Sequence, residues 1–258
     1  MNVGNAAQNI ISFVVHGAQV EVHRHYCFQI VLSLKSSFDC AIGGVSYQEQ
    51  TGFIINQNVP HSCAAQRASV LIYFIDAESY FGWQLKELLA GAHCIDTTAF
   101  FTPEQWALHH AAGHQFLPKE KLKRMADEIF NLILPATQPP SDFLDERIVR
   151  AIEWIETELQ ANPSLEEMAD LMYLSPERAR HLFAQVTGVP FSQFVLWKRL
   201  KRVITLAVRD EFSLTAAAVE SGFADQAHFC RTFKRMFGIS AKFLLKNSRS
   251  VQFLNPLT

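Results

Sequence analysis

The sequence predicts a two-domain α+β chain, with an all-β unit first and an all-helical unit last. Three observations predict it: a short-period apolar alternation before residue 77, helical spacing after it, and an internal repeat near the C-terminus. A length of 258 residues exceeds the usual size of one domain, and with 49% apolar residues the chain can fill two cores.

Residues 9 to 76 alternate in short runs such as IISFVV, QIVLSL, FDCAIGG, GFIINQ and VLIYFI, punctuated by Gly43, Gly44, Gly52, Asn58 and Pro60. Strands spaced in this way suggest a sandwich or a small barrel, and a small barrel can hold a ligand inside or at its mouth. After Glu78 the period lengthens. From Tyr80 to Leu134 the apolar residues recur at helical spacing, clearest in Leu122, Met125, Ile129 and Leu132 or Ile133. Such a stripe is either core or a dimer seam. The segment PATQPPSD at 135–142 has three prolines and no period, which is a linker pattern, and beyond it the chain reads as helical throughout. The domains expected are therefore 1–100 (β), 101–134 (a helical dimerisation segment), 135–142 (linker) and 143–247 (helical).

The repeat lays residues 164–188, SLEEMADLMYLSPERARHLFAQVTG, over residues 213–238, SLTAAAVESGFADQAHFCRTFKRMFG. Ser164 and Ser213 stand as N-caps, Ala169 matches Ala218 where two helices approach closely, Phe183 matches Phe233, and Gly188 matches Gly238 past a helix end. In the first copy Ser175 caps a second helix with Pro176 at its first position. In the second copy Ser221 and Gly222 make the turn, Gly222 supplying a positive φ if one is needed, and Asp225 caps the helix that follows. A helix, a tight turn and a second capped helix make a helix-turn-helix, whose second helix enters a DNA major groove.

If Leu182, Phe183, Phe229, Phe233 and Phe237 face inward, the outer faces of those second helices present Glu177, Arg178, Arg180 and His181 in one copy and Gln226, His228, Arg231, Lys234 and Arg235 in the other. Arginine grips guanine bidentately, glutamine pairs with adenine, and glutamate accepts from cytosine. An ordinary solvated helix face has the same composition, so the duplication carries the argument. Between the copies, FSQFVLWKRLKRVITLAVRD spans roughly 25 to 30 Å as a helix. That length suits reading helices about 34 Å apart in successive major-groove segments. Lys198, Lys201 and Arg202 on this connector are expected on phosphates, with Arg199 tying the two lobes together.

The charge supports the same partner. From Ser175 onward thirteen Lys and Arg oppose five acids, a net +8, whereas the preceding residues carry ten against twenty, a net −10. A basic segment in an otherwise acidic chain suits a polyanion, although a solvated basic surface explains the count equally well. The five cysteines, Cys27, Cys40, Cys63, Cys94 and Cys230, show no CxxC spacing and are expected as reduced thiols. The opening MNVGNAAQNI has no basic segment leading into an apolar run, and no uncharged apolar stretch is long enough to span a membrane, so a cytoplasmic location is expected. GxSxG, a P-loop, GxGxxG and HExxH are all absent from the sequence, and no enzymatic activity is expected.

These motifs resemble the AraC/XylS family of transcription regulators over about Asp145 to Lys246, with GFADQAHFCRTFKRMFG at 222–238 similar to the family signature over nearly its whole length. The resemblance implies a seven-helix DNA-binding domain with base contacts from Glu177, Arg180, His181, Gln226, Ala227, His228 and Arg231. Phosphate contacts are then expected from Ser175, Arg178, Lys198, Lys201, Arg202, Lys234 and Arg235. It also implies double-stranded DNA and RNA polymerase as partners and an activator role, while the helix at 117–134 is expected to make the chain a homodimer. Ala179, Val203 and Ala241 depart from the family's usual leucine, alanine and proline, and none of the three removes a polar contact residue. Ala227 is too short to donate a hydrogen bond and could only touch a thymine methyl.

The N-terminal half resembles, more weakly, the cupin-like β-barrel sensor domain of such regulators, which gives residues 1–100 an effector-sensing role. HRHYCFQIVLSL and GFIINQNVPHS are similar to the two cupin motifs. His23, His25 and His61 match the metal-ligand histidines, while Gln29 stands where the carboxylate would be. The effector pocket is therefore expected at His23, His25, Gln29 and His61, with a small organic effector preferred to a cofactor. A divalent metal on the three histidines is the alternative, as is a role for those histidines in strand-end hydrogen bonding alone. The rival functional class is a metal-dependent cupin oxygenase or isomerase fused to a DNA-binding tail. A third is a regulator controlled by a protein partner on the 117–134 helix.

Overall fold

The computed structural model describes residues 10–101, 105, 119–134, 144–208 and 212–254, the side chains of 119–122 and 245–254 excepted. It divides into two compact units, Met1–Gln138 with Lys234–Thr258, and Pro139–Phe233. The expected linker at 135–142 lies outside the described residues, as does most of 101–118.

In the first unit, β1 (Ile10–His23), β2 (Phe28–Lys35), β3 (Phe38–Ile42), β4 (Val45–Gln50), β5 (Gly52–Ile55), β6 (His61–Ile75), β7 (Cys94–Asp96) and β8 (Ser248–Leu254) form one eight-stranded sheet. Its branch point is β6. This strand pairs antiparallel with β1 along most of its length, with β3 over its first residues and with β2 over its last. Two branches therefore leave the same edge of one strand, and a register irregularity between Ala65 and Ser69 separates them. Ser79 caps α1 (Tyr80–Leu89), its hydroxyl accepting from the Gly82 amide at 3.0 Å. A second helix, α2, covers Lys119–Ile133.

Alternation assigns the two faces of the sheet. Phe28, Ile30, Leu32 and Leu34 of β2 join Leu71, Tyr73 and Ile75 of β6 in a buried core with Leu85 and Leu89 of α1 and Met125, Ala126, Ile129, Phe130 and Ile133 of α2. The Phe130 ring lies 5.4 Å from Tyr73 and 5.0 Å from Phe81, centroid to centroid. The described part of the stripe expected as core or dimer seam is thus core, and burying a side chain such as Phe130 contributes about 1.5–3 kcal/mol to its own fold. Gln29, Val31, Val70, Ile72 and Phe74 point to the other face, which lines a cavity.

Two expectations change. Helical spacing from 80 to 134 is interrupted by β7, which extends the sheet beyond β5. The chain is not helical to its end either: after Asn247 the run SRSVQFL pairs with β1, whose other edge β6 already occupies. This pairing, with the Glu21 amide donating to the Gly238 carbonyl at 3.0 Å, ties residues of Lys234–Thr258 to β1 within the first unit.

The second unit is helical: α3 (Glu146–Thr157), α4 (Leu165–Leu171), α5 (Pro176–Thr187), α6 (Phe191–Val208), α7 (Leu214–Glu220) and α8 (Gln226–Phe237), the last running on into residues of the first. One further helix, α9, covers Ala241–Asn247. Asp145 caps α3, and Ser164 and Glu167 form a reciprocal capping box on α4. No helix among the described residues is long and apolar enough to cross a membrane.

Arg199 of α6 is buried, and its guanidinium donates to the Leu159 carbonyl from Nε at 3.0 Å and from Nη2 at 2.9 Å, and to Asn162 Oδ1 at 3.0 Å. Gly222 packs onto this group: with φ +84°, a Cβ there would lie 2.4 Å from the Leu159 carbonyl oxygen and 2.7 Å from Arg199 Nε. Both the left-handed backbone and the lack of space demand glycine. Gly222→Ala is therefore expected to lower unfolding free energy by at least about 2 kcal/mol in urea titrations. Gly91→Ala, with φ +85° but nothing within 4 Å, should lose only the backbone component, about 1 kcal/mol.

Candidate functional site

The repeat seen in the sequence is reproduced bond for bond. Leu174 N donates to Ala169 O and Phe223 N to Ala218 O, both at 3.0 Å. Tyr173 N donates to Asp170 O at 3.1 Å and Gly222 N to Val219 O at 2.9 Å; Met172 N to Met168 O and Ser221 N to Ala217 O are both 3.1 Å. Equivalent donors and acceptors are offset by 49 residues through the turn. The offset becomes 50 at the caps, where Ser175 Oγ accepts from Arg178 N and Asp225 Oδ1 from His228 N. Ala224 is the inserted residue. Tyr173, φ +55°, takes the left-handed position that Gly222 takes in the second copy.

The second helix of each copy turns its apolar residues inward and its polar ones out. Ala179 and Phe183 of α5 and Phe229, Phe233 and Phe237 of α8 are buried, while Leu182 is only half-buried. Of the expected base readers, Glu177, Arg180, His181, Gln226, Ala227 and Arg231 are exposed. His228 is half-buried, its ring edge-on to Phe223 at 5.2 Å. Arg180 and His181 both reach Glu177 Oε1, at 2.8 and 3.2 Å, and the hydrogen bonds from these two groups hold the Glu177 carboxyl below its ordinary pKa. Ion pairs this exposed contribute about 0–1 kcal/mol, so bases can displace them.

A residue not anticipated from sequence joins them. Thr215 of α7 donates its hydroxyl to Gln226 Oε1 at 2.7 Å, which orients that amide. The signal available was the equivalence of the two copies, which brings the first helix of each close to the cap of its second.

The expected phosphate contacts divide. Ser175, Arg178 and Arg235 are exposed, and Lys234 is exposed with its ammonium 2.9 Å from Glu21. Arg202 is half-buried against Glu220 at 3.3 Å. Lys198 and Lys201 overturn the expectation. Lys198 is 5% exposed and paired with Glu156 at 2.8 Å, and Lys201 is 8% exposed with its Nζ 5.9 Å from the Trp197 ring centroid, so neither ammonium lies where a phosphate could meet it. Arg199, expected to tie the lobes, does join α6 to the segment between α3 and α4.

The histidines expected to line a pocket are brought together in the first unit. His23 and His61 are cross-strand partners on β1 and β6 with ring centroids 4.2 Å apart, and His25 lies 4.9 Å from His61. His23, His61 and Gln29 are buried and line a cavity of about 40 Å³, together with Val31, Ile72, Phe74 and Phe237; His25, expected in the pocket, is buried beside them and is not among its lining residues. Each ring sets Nδ1 on a carbonyl two residues away: Glu21 at 2.9 Å, Cys27 at 3.0 Å and Val59 at 2.8 Å. Gln29 Oε1 stands 2.9 Å from His25 Nε2 and 3.2 Å from His61 Nε2. Among the described residues these three histidines are the group able to hold a metal ion.

Burial, followed by the charge of His61, pushes His23 down to about 3, and the same causes with His23 added hold His25 well below 6.5. Burial also lowers His61. The cysteines are free thiols, and burial pushes Cys40 and Cys63, which face each other across β3 and β6, up to about 12, which leaves them poor nucleophiles.

Comparison with known proteins agrees with this geometry. Residues 168–247 match a helix-turn-helix domain family. The chain is 27% identical over 119 residues to the uncharacterized HTH-type transcriptional regulator YpdC of Escherichia coli, a match covering 46% of this chain and 41% of that one, and so less than half the length of that relative. It is 25% identical over 234 residues to the probable transcriptional regulator LumQ of Photobacterium leiognathi, covering 84% and 89%. In fold it is similar to ToxT of Vibrio cholerae, with a TM-score of 0.60 at 12% identity over 93% of this chain and 98% of that one for an apo structure of a point variant. An unsaturated fatty acid-bound ToxT structure aligns with a TM-score of 0.55 at 15% identity, covering 92% and 94%. The two-domain α+β architecture is common to both proteins.

Histidines that protonate near pH 6.5 when unfolded but stay neutral when folded oppose folding in acid, because the unfolded chain then binds more protons. Stability is thus complete above about pH 6.5 and falls as pH drops toward 3, by up to about 1.4 kcal/mol per pH unit for each such histidine. Urea midpoints between pH 7 and 5, measured with EDTA present, should fall, and His23→Gln should flatten that fall.

Proposed function

We propose that this chain, which its helix-turn-helix region makes a member of the AraC/XylS family of transcription regulators, binds DNA sequence-specifically by placing α5 and α8 in major grooves. The observation that carries the reading is the bond-for-bond duplication of the turn, with a polar, exposed reading face on the helix after each turn. Two equivalent turns with matched hydrogen bonds give two equivalently presented helices, which a solvated surface has no reason to require.

Glu177, Arg180 and His181 read one half-site and Gln226, Ala227, His228 and Arg231 the other, Ala227 through a thymine methyl. Arg178, Arg235 and the Ser175 cap take phosphates, and Lys234 does so on leaving Glu21. A small molecule in the cavity beside His23, Gln29 and His61 modulates binding, a reading supported by the ligand-bound structure of the similarly folded ToxT. An effector acts only as far as it binds two arrangements of the protein unequally. Activation of transcription through RNA polymerase by a protein in the cytoplasm completes the proposal.

Footprinting and salt titration on a selected operator test it. Arg231→Ala should cost about 1–3 kcal/mol at one operator position and relax specificity there, and Arg178→Ala should weaken all sequences alike and lower the salt slope by about 1. Lys201→Ala should leave the salt slope unchanged while reducing stability. Equal losses on every DNA sequence from Arg231→Ala and Arg180→Ala would remove the assignment of base readers.

A further inference from the structure

We infer that Thr215 is a positioning residue for base recognition: its hydroxyl holds the Gln226 amide so that the free edge of that amide selects adenine. The inference rests on α8 being a reading helix, and adds which base Gln226 takes and what makes the choice.

Thr215 is the second residue of α7 and Gln226 the first of α8. Both are exposed, and the Thr215 hydroxyl donates to Gln226 Oε1 at 2.7 Å across the turn. The duplication separates this bond from the shared frame. At the offsets of 49 and 50 residues that relate the two copies, Thr215 corresponds to Glu166 and Gln226 to Pro176. A carboxylate and a proline ring have no donor to offer each other. The first turn closes with the same backbone hydrogen bonds and without this one, so the fold of the turn does not require it. A bond that only one copy makes, between two exposed side chains at the start of a reading helix, acts on what that helix presents.

A terminal amide reverses with little preference, exchanging its donor and acceptor ends. A free glutamine therefore offers a donor to guanine N7 or thymine O4, or oxygen and nitrogen together to adenine. A hydroxyl donating to one lone pair of Oε1 opposes the reversal. The second lone pair of Oε1 and the Nε2 hydrogens then stay side by side, which is the pattern that adenine N6 and N7 accept. Guanine sets O6 where adenine sets N6, so the held oxygen meets another acceptor there. The N-terminal residues of a recognition helix are those that contact base edges, and Gln226 is the first of them. The reversed amide, with Nε2 donating to the Thr215 oxygen, would instead leave an outward oxygen that accepts from cytosine N4.

The test is selection of bound duplexes from a randomised DNA library by the full chain, followed by competition binding of single-base variants. The wild-type chain is expected to prefer adenine to guanine about tenfold at one position, and Gln226→Ala to lose that preference. Thr215→Val keeps the branched shape and removes only the hydroxyl. It is expected to lower the adenine-to-guanine ratio at that position about threefold or more, with preferences elsewhere unchanged. Thr215→Ser, which retains the hydroxyl, is expected to keep the ratio. Three outcomes each overturn the inference: an unchanged ratio in Thr215→Val; an equal loss on every sequence, the response of a phosphate contact; or selection of cytosine at the Gln226 position. Persistence of every base preference in Gln226→Ala overturns the base-reader assignment as well, so that variant tells the two failures apart.

Discussion

The helical unit depends on one buried cation. Arg199 is surrounded by protein, and the structure gives it neutral acceptors: the Leu159 carbonyl, used twice, and the Asn162 amide oxygen. Leu159 follows the last residues of α3, where unsatisfied carbonyls and the helix dipole concentrate negative potential. A guanidinium is suited to this place, because its planar fork reaches one carbonyl from two nitrogens while remaining charged. The second turn then passes directly over the fork. It can do so only without a side chain, which is why Gly222 sits there and why the position of α8 depends on α6 and on the end of α3 together.

Local chemistry made the helical unit legible in the sequence. Ser164 with Glu167, Ser175 with Pro176, and Asp225 act within three residues of themselves, so their patterns survive in a linear string. Lys198 and Lys201 illustrate the opposite case. On a helix whose apolar residues occupy several faces, exposure is decided by what packs against it, and Glu156 and Trp197 are distant or ambiguous in sequence. Tyr173 is similar: nothing in its type announces a left-handed backbone, and only its equivalence to Gly222 does.

In the β unit the alternation marks which residues are inside but not which inside. Gln29 and Ile30 both read as buried, yet one faces the cavity and the other the helices, a distinction set by the pairing of β2 with β6. The branching of β6 and the return of β8 onto β1 are long-range events with no local signature. The stripe on α2 fits a core or a partner equally well as a pattern. Tyr73 and Phe81 decide between them because they supply the surface that Phe130 covers. For the histidines, the resemblance to the cupin motifs singles out the cluster, but the anchoring of Nδ1 on Glu21, Cys27 and Val59 depends on backbone geometry that the motifs do not state.

Charge counted along the chain overstates what DNA would meet. Of the thirteen cations from Ser175 onward, Lys198, Arg199 and Lys201 are buried and Arg202 is held by Glu220. The connector between the two copies is therefore a structural rod and not a phosphate-binding ridge. Counterion release scales with phosphates neutralised, so this part of the net +8 adds nothing to affinity. Among the described residues, the exposed cations of this segment are Arg178, Arg180, Arg231, Lys234 and Arg235 on α5 and α8 and Lys242 on α9. In the proposed complex the same two helices would carry both the base readers and five of these exposed cations, so a shift of either helix would alter affinity and specificity together.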